Sequence, residues 1–313
     1  MHIRQATLDD AQRISRLFRE KIERWQRINA DGQVEDLPYE DLNVYERWLH
    51  GGAWMSIETA AIWLSHLQRT GCLMLLFEDA QADAIFGYVE AYPGDEPEPF
   101  GKHLYLQHLI PAADAPADIM DTMMQHLMDE IDHQGRLSVS CTPFNKESMA
   151  FYRRYAFTVV EHIYQVNMPA QGANVGFYKT TPHRLADVAQ IKGWYMPIGR
   201  LHSSREHWEQ TWPNLWAAIP QVQARKTQRQ HFSSAGVDAY VCFQQQLYDP
   251  RSADVYCWTS KQLTSQIVAA IRDWGYKQGY RSLIMAVNEK IRKGFGDEVE
   301  TMPHQQIIYT RDV

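Results

Sequence analysis

Two periods of hydrophobic spacing alternate along the 313-residue chain, and each change of period marks an element. Residues 3–6 read as a short strand. Thr7 then stands as a helix cap, and Asp9 and Asp10 fall in the first turn, where negative charge suits the helix dipole. Ala11, Ile14, Leu17 and Phe18 form the apolar stripe of that helix. Residues 42–49 and 56–67 are predicted helices parted by Gly51-Gly52; Ser56 caps the second, with Ile57, Ala60, Ala61, Leu64 and Leu67 turned inward. Strands are predicted over 72–77 and 85–92, joined by a polar turn at 78–83, and again over 103–110. An acidic, proline-stiffened loop at 94–101 separates the last two. A helix over 118–134 and a strand over 137–141 follow. A helical run capped by Asn145 then leads into a strand over 159–168.

After a linker at 169–174 the pattern begins again. Residues 177–181 followed by Leu185, Val188 and Ile191 repeat the opening strand and its helical stripe. The match tightens later: 123–135 and 267–279 correspond, and a strand and an asparagine follow each, ending at Asn145 and Asn288. A repeat this long is a duplicated domain, which divides the chain into 1–168 and 174–313. The second copy is the more eroded. Gln245 falls opposite Glu90, and the interval between Asn288 and Phe295 leaves no room for a full second helix. Residues 259–264 offer Lys261 but no glycine. Trp208, Trp212 and Trp216 recur at helical spacing, a stripe suited to a core or a domain interface.

Charge and cysteine usage narrow the functional classes. The net charge of −7 is spread along the chain, and no lysine-arginine block stands out, which argues against nucleic acid as a partner. Arg225, Lys226 and Arg229 lie on an alternating segment and read as a solvated strand face. Cys72, Cys141, Cys242 and Cys257 fall singly on apolar runs, as reduced buried thiols do, rather than as a disulfide framework or a zinc site. His103 and His108 point to opposite faces of one strand and do not share a metal. No signal peptide opens the chain, and the apolar run 72–77 is too short to span a bilayer. A soluble, cytoplasmic protein is expected.

The run from Asn145 to Phe157 fits the pattern Asn-x-x-small-x-x-Phe-Tyr-x-x-x-small-Phe, with Ala156 at the last small position. Together with the elements around it, this run resembles the last helix and strand of the GNAT superfamily of N-acyltransferases. The resemblance extends over nearly the whole chain. It implies an α/β (α+β) fold of two tandem GNAT-like domains, each a twisted mixed sheet flanked by helices.

It also implies a cofactor, acetyl-CoA or another acyl-CoA, and a set of site residues. Asn145 would touch the pantetheine arm, and Tyr152 would lie beside the thioester sulfur and donate to the leaving thiolate. Leu109 and Ile110 would offer backbone groups to pantetheine. The pyrophosphate signature, Arg/Gln-x-x-Gly-x-Gly/Ala, falls on Ala115, Asp118 and Met120, with no glycine. Asp118 would therefore either oppose the pyrophosphate with like charge or serve as a helix cap. Glu90 would accept the proton of the attacking amine; the other reading is a solvent-facing carboxylate at a strand end. Trp54, with Trp48 and Trp63, would wall the acceptor pocket or pack helices on the sheet. Asp95, Glu96 and Glu98 would attract a cationic acceptor or form a solvated turn.

The implied function is acyl transfer to a small-molecule amine by direct attack on the thioester, with no metal. The alternative is a catalytically inactive GNAT-fold protein that binds ligands or regulates, which the missing glycines favour. Transfer from charged tRNA fits poorly with the acidic balance.

Overall fold

The computed structural model describes residues 1–29, 31–79, 84–131, 135–172 and 178–313. The expected turn at 80–83, the end of the expected helix at 132–134, and residues 173–177 at the start of the second copy lie outside them. The first half of the chain gives β1 (His2–Gln5), α1 (Ala11–Arg19), β2 (Gln26–Ile28), β3 (Val34–Asp36), α2 (Val44–Trp48) and α3 (Ile57–Thr70). It continues with β4 (Leu73–Asp79), β5 (Ala84–Asp95), β6 (Lys102–Pro111), α4 (Ile119–Glu130), β7 (Arg136–Cys141), α5 (Lys146–Arg154) and β8 (Thr158–Pro169). The second half gives β9 (Lys179–Pro182), β10 (Tyr195–Ile198), α6 (Ser204–Thr211), β11 (Thr227–Ser234), β12 (Val237–Gln245) and β13 (Ser252–Thr259). It closes with α7 (Ser265–Lys277), β14 (Ser282–Asn288), α8 (Glu289–Phe295) and β15 (Glu300–Asp312). The order β4-β5-β6-α4-β7-α5-β8 recurs as β11-β12-β13-α7-β14-α8-β15.

The chain forms two compact units. The first holds Met1–Ala91, Leu106–Glu130 and Leu215–Ala224, so both β5 and β6 run from one unit into the other. In it β4 pairs antiparallel with β1 and with β5. Asp10 secures the start of α1, accepting from the Thr7 amide and from Arg4, which also reaches Glu78 on β4. Ser56 caps α3 as expected, and Ala60, Leu64 and Leu67 are buried; Ile57, at the first helical position, is exposed instead. The helix expected over 42–49 is shorter. Asn43 and Glu46 form a reciprocal capping box that starts it at Val44. A side chain at Gly87 would meet the Met123 sulfur at 2.5 Å, so glycine there lets α4 settle close on β5.

The second unit holds Tyr92–Tyr105, Ile131–Asn214 and Arg225–Val313. Its sheet runs β7-β15-β8-β14-β13-β12-β11-β9, with β6 parallel to β7 and β13 parallel to β14. The two closing strands are exchanged. β15, the last strand of the later series, lies between β7 and β8, while β8 lies between β15 and β14. The core joins Val166 and Met168 of β8 to Phe243, Ile271, Trp274 and Leu283.

Two expectations about the second half need correction. A helix does follow Asn288, whose side chain accepts from the Ile291 amide, and Phe295 stands seven positions after that cap, as Tyr152 stands after Asn145. The tryptophan stripe is broken. Trp208 and Trp212 stack at 4.2 Å in the second unit, but Pro213 cannot continue the helix. Trp216 then falls on a separate 3-10 turn of the first unit, with its ring against Trp48 and Trp63.

Candidate functional site

In the first unit the expected residues centre on Glu90. Strand alternation turns it inward with Phe86 and Tyr88, and it is only 1% exposed, which removes the solvent-facing reading. Its Oε2 accepts from Trp54 Nε1 at 3.0 Å and from the Tyr88 hydroxyl at 3.2 Å. Burial, reinforced by the Glu90 charge, raises the Tyr88 phenol well above its ordinary pKa, so it remains a donor. Trp54 stacks on Phe18 at 5.4 Å. The indole thus orients the carboxylate. Trp48 and Trp63 pack with Trp216 instead.

Leu109 and Ile110 are half-buried on β6, and nearby the Ala112 amide bonds to the Phe86 carbonyl. Ala115 and Met120 are half-buried and Asp118 is exposed just before α4, its carbonyl accepting from both the amide and the hydroxyl of Thr122. With Asp121 in the first turn, two carboxylates flank this helix start.

In the second unit Asn145 caps α5, its Oδ1 accepting from the Ser148 amide at 3.0 Å. Tyr152 follows two turns on, beside Phe157 and Tyr309. Burial, with Cys141 nearby, pushes its phenol up to about 12, so it is a neutral donor across the physiological range.

The acidic loop is not an open cluster. Glu96 is buried, ion-paired with Arg200 and 3.6 Å from His103, while Arg200 also covers the Phe100 ring. Glu98 pairs with Arg136 at 2.5 Å, and Asp95 lies 3.7 Å from Lys192. Each carboxylate faces a cation, so the field available to attract an amine is reduced. A cavity of about 310 Å³ lies against this loop, lined also by Glu161, Tyr195, Arg200 and Asn288.

The two parallel pairs of the second unit differ at their ends. Pairing of β6 with β7 stops at Tyr105↔Ser138, and pairing of β13 with β14 stops at Val255↔Met285. Beyond the second stop β10 pairs with β13, and the Gly199 amide bonds to the Ala286 carbonyl of β14 at 2.7 Å. Sequence reasoning missed this strand, and Arg200 and His202 just after it. Both residues sit outside any periodic run, and only the pairing of β10 reveals their place.

No protein-family model and no curated protein matches the chain. Solved structures do. It is similar to a GCN5-related N-acetyltransferase from Anabaena variabilis ATCC 29413, with TM-score 0.56 and 10% identity over 99% of this chain and 72% of that one. A probable N-acyltransferase from Enterococcus faecalis V583 gives 0.54 and 11%, over 100% and 72%. A putative acetyltransferase from Pyrococcus horikoshii gives 0.51 and 9%, over 100% and 89%. The fold is that of the GNAT acyltransferases. Asn145 caps α5 and Tyr152 lies on that helix, while the start of α4 has no glycine and follows Asp118.

Proposed function

We propose that the protein is an N-acyltransferase that moves an acetyl or other acyl group to a small-molecule amine, with the chemistry in the first of two duplicated copies. The observation that carries this reading is the capped helix from Asn145 to Tyr152, which presents a phenol held neutral up to about 12. A neutral phenol can protonate a leaving thiolate. Acyl-CoA supplies an activated acyl thioester. Glu90, held by Trp54 and Tyr88, takes the amine proton. Asn145 and Tyr152 suit the thioester end of such a donor, whereas the carboxylates of Asp118 and Asp121 at the start of α4 do not suit a pyrophosphate. The acceptor is proposed to be a small amine and the setting the cytoplasm, where four buried cysteine thiols stay reduced.

A second reading, a GNAT-fold protein that binds or regulates without catalysis, draws on the carboxylates at the start of α4. Calorimetric titration with acetyl-CoA and CoA decides between them. Micromolar binding, with thiol release on adding a panel of small amines, carries the enzyme. No binding at millimolar ligand leaves the second reading.

A further inference from the structure

The cavity of about 310 Å³ lies wholly within the second unit and has no part in the chemistry above. Residues 286–288 of β14, past its last pair with β13, line it together with residues 195–197 of β10. At the end of the β6/β7 ladder the polar side chains satisfy one another. There the Tyr105 hydroxyl lies 2.7 Å from Ser140 Oγ, and each oxygen is 3.2 Å from His202 Nδ1. The cavity walls instead keep polar groups open. At about 30 Å³ for each water-sized group, the space holds roughly ten non-hydrogen atoms. That is the size of a free amino acid and far below that of coenzyme A.

The lining is apolar, with charges of both signs set into it. Phe100, Ile163 and Ala286 belong to one buried cluster, and Met196, Leu263 and Ile291 extend the apolar surface. Two of the carboxylates already face cations, Glu96 paired with Arg200 and Glu98 with Arg136. Arg200 is occupied in turn, buried beside Glu96 with its guanidinium over the Phe100 ring. Glu161 is different. Its Oε1 accepts from Asn288 Nδ2 at 2.9 Å, which orients the carboxylate and leaves Oε2 open. Lys290 is exposed in the first turn of α8, where the helix's own ion pair joins Glu289 to Lys293 and leaves it out. The Tyr195 hydroxyl, half-buried on β10, makes no hydrogen bond to the described residues.

We propose that this cavity binds a free α-amino acid with an apolar side chain. The ligand's ammonium meets Glu161 Oε2, and its carboxylate meets Lys290 and the Tyr195 hydroxyl. Its side chain lies against Phe100 and Ile163. One open carboxylate and one open ammonium on the same wall select a zwitterion, because charge-assisted bonds are the strong ones. A simple amine forgoes the bond to Lys290, and a simple acid forgoes the bond to Glu161. Asn288 holds Glu161 in place before the ligand arrives, which lowers the cost of ordering the site.

Calorimetric titration of the full-length protein with L-phenylalanine tests this without CoA, so its outcome is separate from that of the acyltransferase reading. A Kd of about 1 mM or tighter is expected. The analogues 3-phenylpropionate and phenethylamine each lack one charge and should bind about tenfold more weakly. Glu161→Gln should weaken L-phenylalanine about tenfold and leave 3-phenylpropionate unchanged. Lys290→Met, at an exposed position that folding does not need, should weaken it similarly and leave phenethylamine unchanged. Binding of either analogue as tightly as the amino acid overturns the proposal, and so does full affinity in both variants. Failure of L-phenylalanine, L-leucine and L-methionine alike to bind at about 10 mM also overturns it. Displacement of the amino acid by acetyl-CoA, lost in Lys290→Met, would assign the cavity to the acyl donor instead.

Discussion

The β6/β7 and β13/β14 pairs begin alike and end differently. Each is a short parallel ladder followed by a capped helix, α5 after Asn145 and α8 after Asn288. Past the β13/β14 ladder the chain has laid its own β10, with Gly199 against Tyr256 and Val255. Past the β6/β7 ladder stand hydroxyls and an imidazole. The helices diverge in the same sense, since Tyr152 carries a phenol where Phe295 carries none. Parallel strands that stop pairing leave backbone donors and acceptors in need of partners. A segment of the same chain meets that need in the β13/β14 pair.

Four measurements can break or sharpen this contrast. Gly199→Val is expected to act most strongly, because even a Cβ would lie 2.8 Å from the Tyr256 Cα and the Val255 carbonyl, at a φ of +91°. A loss of about 3 kcal/mol or more should appear as a lowered melting temperature. An unchanged melt would mean that β10 is not firmly seated.

Tyr152→Phe should lower turnover by roughly 100-fold with cofactor affinity nearly unchanged, whereas Phe295→Leu should leave turnover alone. The phenol acts while protonated, so any alkaline fall it governs should sit near 12 rather than at its ordinary value of 10. Equal losses in the two variants would erase the distinction.

Calorimetry should count one acyl-CoA per chain. Two would show that β10 does not close the β13/β14 end.

The smallest effect expected is from Asp118→Gly. Removing a like charge at the start of α4 should tighten CoA binding by about 1 kcal/mol. Weaker binding would make Asp118 a helix-starting residue first.

What the sequence determined by itself was local. The caps at Ser56 and Asn145 were legible because each bonds to an amide three residues on, a distance any short window contains. Alternation placed Glu90 among aromatic neighbours for the same reason. The helix after Asn288 was the local miss: its seven residues fell below what apolar spacing can register. Tertiary structure decided the rest. Glu96 finds Arg200 across 104 positions, and Tyr105 finds His202 across 97. The exchange of β8 and β15 and the seating of β10 depend on which strand edges remain open once the sheet has formed. Strand pairing is a contest among edges, settled by backbone hydrogen bonds that every residue but proline can make, so the side-chain pattern proposes the strands but does not choose their neighbours.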